Sequence, residues 1–309
     1  MINEALKNYN FINPDVELIR HNENMTYKIS DTEKSYVLRI HNPSEGINLD
    51  LLRMGKNKID LIADEIKLLQ YLTELGDVHT QKVELNIHNK PVTMLNAETP
   101  ITVLEWIEGT TLEDIIITEE IAHKIGVMIG KLHNSLVHCE YKNRYYYNNT
   151  LLSKMIEEAS KATLQGHFND FNSKIIIETL SHIRDYLFSL NDRFIIVHAD
   201  LGKSNLINHN NLIIPIDFSL SGYCIPEMDL ASAFSHINNE ALNQEILKGY
   251  KSASNFEPEN IGIEVCVCLQ ILLFIIIQHN KFASEEWFQD KLNDWCADYF
   301  NPLISKMTK

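Results

Sequence analysis

Apolar and polar residues in the first third of the chain alternate at the spacing of short β-strands. This pattern predicts strands at 15–20, 27–29, 35–40 and 101–107, and a hairpin at 83–95 that turns at 88–90. The stretch 58–75 differs, because its apolar residues recur at helical spacing. The pattern therefore predicts a small antiparallel sheet that is interrupted by one long helix.

Helical spacing dominates the rest of the chain. It predicts helices at 118–136, 151–164, 171–190, 226–237, 240–253 and 284–306. The run 261–277 is long and apolar enough to resemble a membrane span, but Glu264 and Gln270 interrupt it and no basic cluster flanks it closely. We interpret this run as a buried helix at the centre of a larger, mostly helical lobe.

Two short apolar runs, at 194–197 and 212–216, are each followed by chemically active side chains. Asp200 and Asn205 come after the first run, and Asp217 comes directly after the second. Phosphoryl transfer needs one carboxylate to orient or deprotonate the attacking hydroxyl, and a carboxylate and an amide oxygen to hold Mg²⁺. We therefore predict that Asp200 is the catalytic base and that Asn205 and Asp217 are the metal ligands. Each residue taken alone is better explained as a turn or capping residue, so the prediction depends on their joint spacing.

The same segment resembles a known family. His198-x-Asp200-x-x-x-x-Asn205, followed by Asp217-Phe218, is similar to the catalytic and metal loops of the protein-kinase-like fold. The end of the segment, 221–231, resembles the aminoglycoside phosphotransferase and choline kinase branch of that fold. The resemblance implies an enzyme that phosphorylates a small molecule.

Two departures from the family pattern fall inside this segment. Ala199 stands where the family usually has glycine, which we expect to be a small change, and Ser219 stands where protein kinases have glycine. Neither departure removes a reacting group. We expect His198 to brace the catalytic loop by hydrogen bonds, and Asp229 to tie that loop to the helix that begins near it.

The resemblance also implies a nucleotide site built largely by the smaller lobe. The turn at 21–26 would cover the phosphates; it contains no glycine, so we expect Asn22 and Asn24 to supply any left-handed positions. Arg39 stands where the kinase-like fold has a phosphate-binding lysine, and we predict that Glu65 pairs with it. The simpler alternatives are a surface arginine on a strand and a solvated charge on a helix.

Further contacts of the nucleotide and the acceptor follow from position alone. In the family, an extended linker between the lobes presents main-chain groups to the base, and here those groups belong to Glu105 and Ile107. Lys203, inside the catalytic loop, is a candidate for contact with the γ-phosphate. The tyrosines at 145–147 either form an aromatic wall for an ammonium group or pack helices together.

Composition narrows the classes of partner. With 27 Lys and Arg against 42 Asp and Glu, the net charge of −15 argues against nucleic acid and anionic membrane partners. The 5 cysteines are odd in number and lack metal-binding spacing, so we expect reduced thiols and a cytoplasmic protein. The acidity is also mildly consistent with a cationic substrate.

Together these features predict an α+β, two-lobed protein-kinase-like fold, with a nucleotide-binding lobe at 1–105 and a catalytic and acceptor-binding lobe at 106–309. The expected function is ATP- and Mg²⁺-dependent transfer of the γ-phosphoryl group to a hydroxyl of a small molecule, with GTP left open as the donor. The acceptor is left open among aminoglycoside-, choline- and homoserine-like molecules. The alternative is a non-catalytic nucleotide-binding or assembly protein that keeps the fold, which the glycine-free turn and Arg39 favour.

Overall fold

The computed structural model describes residues 1–32 and 34–308, and an antiparallel sheet forms the N-terminal lobe. The strands of this sheet are β1 (Asp15–His21), β2 (Met25–Ser30), β3 (Ser35–Ile40), β4 (Val83–Glu84), β5 (Thr93–Met94) and β6 (Pro100–Glu105). Their order is β1-β2-β3-β6-β4, and β5 also pairs with β6. The predicted two-lobed α+β fold is confirmed, while the lobe boundary at 105 stays a prediction.

The predicted hairpin at 83–95 is wrong in its pairing. β4 and β5 both pair with β6, at Leu104 and at Ile101 respectively. The connection between them is organised by Asn86, whose Oδ1 accepts from the backbone N–H of His88 at 2.9 Å and of Lys90 at 3.0 Å. The turn at 88–90 is therefore present, held by the Asn86 side chain and by backbone bonds of Asn86 with Lys90 and Asn89, without a ladder between β4 and β5.

The two faces of the sheet have different roles. Leu38 and Ile40 of β3 and Ile101 and Val103 of β6 are fully buried on one face, where α1 (Ile2–Leu6) covers them. Side chains alternate along a strand, so Arg39 points to the opposite face. That face looks toward α3 (Lys58–Leu75) and toward the second lobe. The short helix α2 (Asp50–Arg53) lies between β3 and α3 in the chain.

The second lobe is mostly helical. Its helices are α4 (Glu119–Leu136), α5 (Asn149–Leu164), α6 (Asp170–Ser189), α7 (Glu227–Ile237), α8 (Glu240–Ala253), α9 (Asn260–Phe282), α10 (Glu286–Trp295) and α11 (Asn301–Met307). Side-chain oxygens of Thr118, Asn148 and Asn169 accept from backbone N–H groups and so cap α4, α5 and α6. The helix predicted at 284–306 is divided by a π-helical turn at Cys296–Phe300, and Pro302, which has no N–H to donate, follows it.

Helix α9 lies in the core of this lobe, as its apolar sequence predicts. Within the described residues it is the one helix long and apolar enough to cross a membrane, by length and composition alone. In the most apolar 18-residue stretch of α9, 61% is buried inside the protein, and Leu269, Leu272 and Ile276 are fully buried. Such burial is typical of the core helix of a globular lobe.

Six short strands form two small sheets in the second lobe. The strands are β7 (Thr110–Thr111), β8 (Tyr145–Tyr146), β9 (Ile195–Val197), β10 (Leu206–His209), β11 (Leu212–Pro215) and β12 (Gly222–Cys224), in the orders β11-β10-β7 and β8-β12-β9. The apolar runs at 194–197 and 212–216 correspond to β9 and β11, whereas β7, β8, β10 and β12 were not predicted. β10 pairs with β11 across a tight turn at Asn210 and Asn211, whose φ angles are 47° and 69°.

Helices α4 and α8 approach each other closely through two glycines. A Cβ atom on Gly126 would lie 1.9 Å from the carbonyl oxygen of Ile246, and a Cβ atom on Gly249 would lie 2.0 Å from that of His123. Both separations are far below van der Waals contact, and the obstructing atoms belong to backbone. Either glycine can gain a side chain only if the two helices move apart.

We expect Gly126→Ala to lower the free energy of unfolding by about 2 kcal/mol or more, because the helices must separate to admit the methyl group. Urea denaturation measures the change. Lys248→Ala, on the exposed side of α8, is the control and should change this free energy by less than about 0.5 kcal/mol. Wild-type stability of Gly126→Ala would contradict the close contact of the two helices.

Candidate active site

Two neighbouring loops bring together the side chains predicted to carry the chemistry. Asp200 follows β9, and Asn205 directly precedes β10; Asn205 Nδ2 donates to the main-chain carbonyl of Asp200 at 2.9 Å and to its carboxylate Oδ2 at 2.8 Å. Asp217 follows β11, and the N–H of Ile216 donates to the carbonyl of Asn205 at 2.9 Å. Asp200, Asn205 and Asp217 therefore belong to one hydrogen-bonded unit.

A buried carboxylate, Asp229 at the start of α7, fixes the loop of Asp200. Its Oδ2 accepts from the N–H of His198 at 2.9 Å, and its Oδ1 accepts from the N–H of Ala199 at 2.7 Å. His133 Nε2 lies 3.0 Å from Oδ2. Burial acts to raise the pKa of Asp229, but His133 and the other donors hold it below its ordinary value. The predicted tie between this loop and the helix is confirmed.

His198 braces the loop, as predicted. Its Nε2 lies 3.0 Å from the carbonyl of Ile216, and because a carbonyl can only accept, Nε2 carries the proton. Nδ1 then accepts from the N–H of Asp200 at 3.3 Å. Burial lowers the pKa of His198, so the ring is neutral. This neutral ring joins the loop of Asp200 to the segment that carries Asp217.

Ala199 is a larger departure than the sequence suggests. Its φ is 66°, in the left-handed region that favours glycine. A side chain in this region raises the energy by about 1–2 kcal/mol. The expectation of a small change is therefore wrong, and the strained backbone is held by the bonds of Ala199 and His198 to Asp229.

Arg39 and Glu65 form the ion pair that was predicted. Arg39 Nη2 lies 2.5 Å from Glu65 Oε1, and each residue is only 2% exposed. Nη1 of the same guanidinium lies 3.1 Å from Oδ1 of Asp217. The alternatives of a surface arginine and a solvated glutamate are wrong, because both side chains are buried. The phosphate-binding role of Arg39 stays a prediction.

Sequence reasoning missed a second arginine at this centre, Arg20. Its Nη2 lies 2.6 Å from Oδ2 of Asp217. Arg20 and Arg39 both lie opposite Thr26 in the register of β1, β2 and β3, so they share one face of the sheet. Burial acts to raise the pKa of Asp217, but Arg39 and Arg20 outweigh it and lower this pKa to about 2. Asp217 is therefore ionised at neutral pH.

Asp200 has the opposite electrostatic environment. Burial has the largest effect and raises the pKa of Asp200, and the negative charges of Asp217 and Glu23 raise it further. Arg20 and the hydrogen bond from Asn205 lower this pKa, but the net result is a value of about 7. Near neutral pH the carboxyl is thus balanced between its protonated and ionised forms. Such a pKa suits a general base, while the low pKa of Asp217 suits a permanent anion.

Oxygen atoms at this centre fit a hard divalent cation. Asn205 Oδ1 is buried and has no hydrogen-bond partner among the described residues, because its amide is oriented by the bonds of Nδ2 to Asp200. Asp217 supplies a negative charge. Residues 1–32 and 34–308 contain no group of three or more His, Cys, Asp or Glu that could hold a metal. A cation here would therefore need further ligands from phosphates or water.

A cavity of about 290 Å³ opens between the lobes beside Asp217. Its apolar walls come from both lobes, namely from Ile19, Val37, Trp106, Ile107, Ile207 and Ile216. Arg39 and Asp217 also line it. Apolar walls combined with a few charged groups suit a flat base that carries phosphates.

The two linker residues predicted to contact the base differ in their availability. Ile107 lines the cavity, and its backbone groups form no hydrogen bond within the described part of the chain. The N–H of Glu105 donates to the carbonyl of Lys82 at 2.8 Å, and the carbonyl of Glu105 accepts from Gln81 Nε2 at 3.0 Å. The N–H of Ile107 is thus free for a ligand, whereas one lone pair of the Glu105 carbonyl is already engaged. Both roles stay predictions.

The remaining predicted contacts, those of Asn24 and Lys203, stay untested. Neither Asn22 nor Asn24 has a positive φ, so the expectation of left-handed positions is wrong. The turn closes with the N–H of Asn22 donating to the carbonyl of Asn24 at 3.2 Å, and the register of β1 with β2 shifts just before it, between Leu18 and Arg20. Lys203 is half-buried and, among the described residues, has no ion-pair partner.

Arg144 is a further residue that sequence reasoning missed. Its buried guanidinium holds the segment after Asp217 against α3 by donating to four main-chain carbonyls, those of Leu61, Phe218, Ser219 and Ser221. In sequence it is an ordinary arginine within an aromatic loop, so no signal marked it. The neighbouring Tyr146 stacks on Tyr223 with ring centroids 4.4 Å apart, which supports the packing alternative for this tyrosine.

Comparison with known proteins identifies the class of this protein. Residues 15–261 match the phosphotransferase enzyme family. The chain therefore belongs to this family, and the prediction of an enzyme of the small-molecule kinase class is confirmed.

Individual proteins of known sequence or structure share only a small part of this sequence. The chain is 29% identical to a LicA homolog from Metamycoplasma hominis over 184 residues, which cover 59% of this chain and 68% of that protein. A microcompartment-associated aminopropanol kinase is similar in structure, with a TM-score of 0.78, 18% identity, and coverage of 99% of this chain and 98% of that chain. A choline/ethanolamine kinase family protein from Mesorhizobium loti gives a TM-score of 0.67, 17% identity and coverage of 99% and 98%. At these identities the two structures establish the fold.

The raised pKa of Asp200 makes this residue a source of instability. In the unfolded chain the carboxyl ionises near its ordinary value of 3.8, whereas the folded protein keeps the proton to about pH 7. Folding stability therefore falls as the pH rises through this window. We expect Asp200→Asn to raise the free energy of unfolding by about 1–3 kcal/mol at pH 8 and to have little effect at pH 4, as measured by urea denaturation.

Asp217→Asn is the matched control with the opposite sign. The pKa of Asp217 is depressed to about 2, so its contribution is present above its ordinary value of 3.8 and lost as the pH falls toward 2. This variant should be less stable than the wild type at pH 8. An Asp200→Asn protein that is also less stable at pH 8 would show that Asp200 is not destabilised by its surroundings.

Proposed function

We propose that the protein transfers the γ-phosphoryl group of ATP to a hydroxyl group of a small, amine-bearing molecule. One observation carries this proposal: the two carboxylates of the centre line different cavities. Asp217 lines the cavity between the lobes, whereas Asp200 lines a second cavity of about 320 Å³. A donor in the first cavity and an acceptor in the second would meet at these two carboxylates.

The lining of the second cavity supports an amine-bearing acceptor. Asp200 and Glu23 both line it, and no lysine or arginine is among its lining residues in the described part of the chain. Tyr147, Phe274 and Trp295 contribute aromatic rings. Carboxylates and aromatic faces both attract an ammonium group, while the apolar walls accommodate its carbon skeleton.

The nucleotide would bind with its base in the cavity between the lobes. The free N–H of Ile107 is available to the base, and Arg39, which lines the same cavity, would face the phosphates. Because Glu65 holds Arg39 in a buried ion pair, the guanidinium is positioned before the nucleotide arrives. Arg20 is 35% exposed, so its side chain is freer to move from Asp217 to a phosphate. Lys203, which projects from the catalytic loop, would contact the γ-phosphate.

Mg²⁺ would be held by Asn205 Oδ1 and by the carboxylate of Asp217. Bound there, the cation neutralises charge on the phosphates. The buried, unpartnered oxygen of Asn205 and the low pKa of Asp217 support this assignment. Asn24, in the turn that would cover the phosphates, remains a candidate for a phosphate contact.

Asp200 would orient the acceptor hydroxyl and take its proton. Asn205 Nδ2 holds Oδ2 of this carboxylate, which leaves Oδ1 for the hydroxyl. As the acceptor oxygen bonds to the γ-phosphorus, the bond from phosphorus to the bridging oxygen breaks, ADP leaves and the hydroxyl proton passes to Asp200. A pKa of about 7 allows the same carboxyl to accept this proton and then release it to water.

Release of ADP from Mg-ATP in the presence of amino alcohols, aminoglycosides and amine-free sugars tests the proposal. We expect release that depends on at least one amine-bearing acceptor, and we expect Asp200→Asn to lower kcat by about 10²–10⁴-fold. Asp290→Asn, an exposed aspartate of α10, is the control and should keep wild-type activity. Full activity of Asp200→Asn would rule out its role, and activity with the sugars alone would rule out the amine-bearing class.

The pH dependence of kcat/KM provides a separate prediction. Only the ionised form of Asp200 is a base, and its pKa is about 7. We therefore expect kcat/KM to rise about tenfold per pH unit below the pKa and to level off above it. A flat profile between about pH 5 and pH 8 would show that no group with this pKa acts as the base.

A further inference from the structure

We propose that the side chain of Gln81 selects the base of the donor nucleotide, in favour of a purine with an amino group at C6 over one with a carbonyl oxygen there. This inference rests on the proposed function, because it concerns the same cavity between the lobes. Gln81 belongs to no motif in the sequence. Its side chain makes a single hydrogen bond, to the linker between the lobes.

The orientation of the Gln81 amide is fixed by its partner. Gln81 is 5% exposed and lines the cavity together with Trp106 and Ile107. Its Nε2 donates to the main-chain carbonyl of Glu105 at 3.0 Å. Because a carbonyl oxygen can only accept, the NH₂ group of the amide must face Glu105. The amide oxygen must then face away from Glu105.

This amide oxygen is the group that Gln81 offers to a ligand. It has no hydrogen-bond partner within the described residues, and it is not among the unpartnered side-chain atoms that are sealed from solvent. Since the rest of Gln81 is buried and the residue lines the cavity, the accessible surface of this oxygen lies in the cavity. The cavity thus presents one acceptor, Gln81 Oε1, and one donor, the N–H of Ile107.

These two groups are complementary to the edge of adenine. The C6 amino group of adenine can donate to Gln81 Oε1, and the N1 atom of adenine can accept from the N–H of Ile107. A base with a carbonyl at C6 would place that oxygen against Gln81 Oε1 and its N1–H against the N–H of Ile107. Turning the Gln81 amide to help that base would set its oxygen against the Glu105 carbonyl. Sites that leave buried polar groups unpaired discriminate strongly between ligands.

ADP and IDP are suitable probes, because inosine differs from adenosine in carrying a carbonyl at C6 in place of the amino group. Calorimetric titration of the full chain should show ADP binding about tenfold or more tightly than IDP. In Gln81→Met, which removes the amide and keeps the length of the side chain, the ratio should fall by about threefold or more, mainly through weaker ADP binding, while the N–H of Ile107 retains part of the preference. Gln81→Leu, a second variant of different shape, should show the same loss of preference.

Thr80→Val is the matched control. Thr80 is buried beside Gln81 in sequence but lines a different cavity, so this variant should keep the wild-type preference for ADP. Equal weakening of ADP and IDP in the Gln81 variants would overturn the inference and leave Gln81 as a structural link to the linker. Equal binding of ADP and IDP by the wild type would also overturn it and leave the proposed function standing. Binding of neither nucleotide by the wild type would overturn the proposed function and this inference together.

Discussion

A buried guanidinium held between two carboxylates is the contact on which the site depends. Arg39 belongs to the sheet of the N-terminal lobe, Glu65 to α3, and Asp217 to the loop after β11. A buried charge that loses a partner is strongly destabilising, by about 3–5 kcal/mol, so neither carboxylate can be removed without effect. Because Asp217 lies in the other lobe, the same contact also joins the two lobes at the point where the phosphates would bind.

A second set of contacts supports the catalytic loop from the core. Gly126 and Gly249 set the distance between α4 and α8. His133 of α4 and Tyr250 of α8 lie 2.9 Å apart through Nδ1 and the hydroxyl, and His133 also bonds to Asp229. Asp229 in turn holds the N–H groups that precede Asp200. The position of Asp200 therefore depends on helix packing deep in the second lobe.

Sequence reasoning located the residues of the centre that occur at fixed spacing. Asp200 and Asp217 were found because each closely follows a short apolar run, and Asn205 because it lies five residues after Asp200; such local spacing is visible in a sequence. Arg39 and Glu65 were paired only by resemblance, since 26 positions separate them. The structure shows that this pair is formed.

The residues that were missed depend on contacts far apart in the sequence. Arg20 reaches Asp217 only because of the register of β1 with β2, and 197 positions separate the two. Gln81 reaches the linker because β4 pairs with β6, the pairing that the hairpin prediction had wrong. The strain at Ala199 follows from backbone bonds to Asp229, 30 positions away. Sheet register and long-range hydrogen bonds cannot be read from local periodicity.

Helix α9 has an evolutionary consequence. One side of it packs into the core, and the other supplies six of the residues that line the cavity beside Asp200, namely Gln270, Ile271, Leu273, Phe274, Ile277 and Gln278. Of these six, Gln270 alone is bonded to the catalytic loop, through Nε2 and the carbonyl of Ala199 at 3.4 Å. The side chains of the other five make no hydrogen bond to the loop that carries Asp200. Substitutions in a single helix can thus reshape this cavity during evolution while every hydrogen bond of that loop is inherited intact.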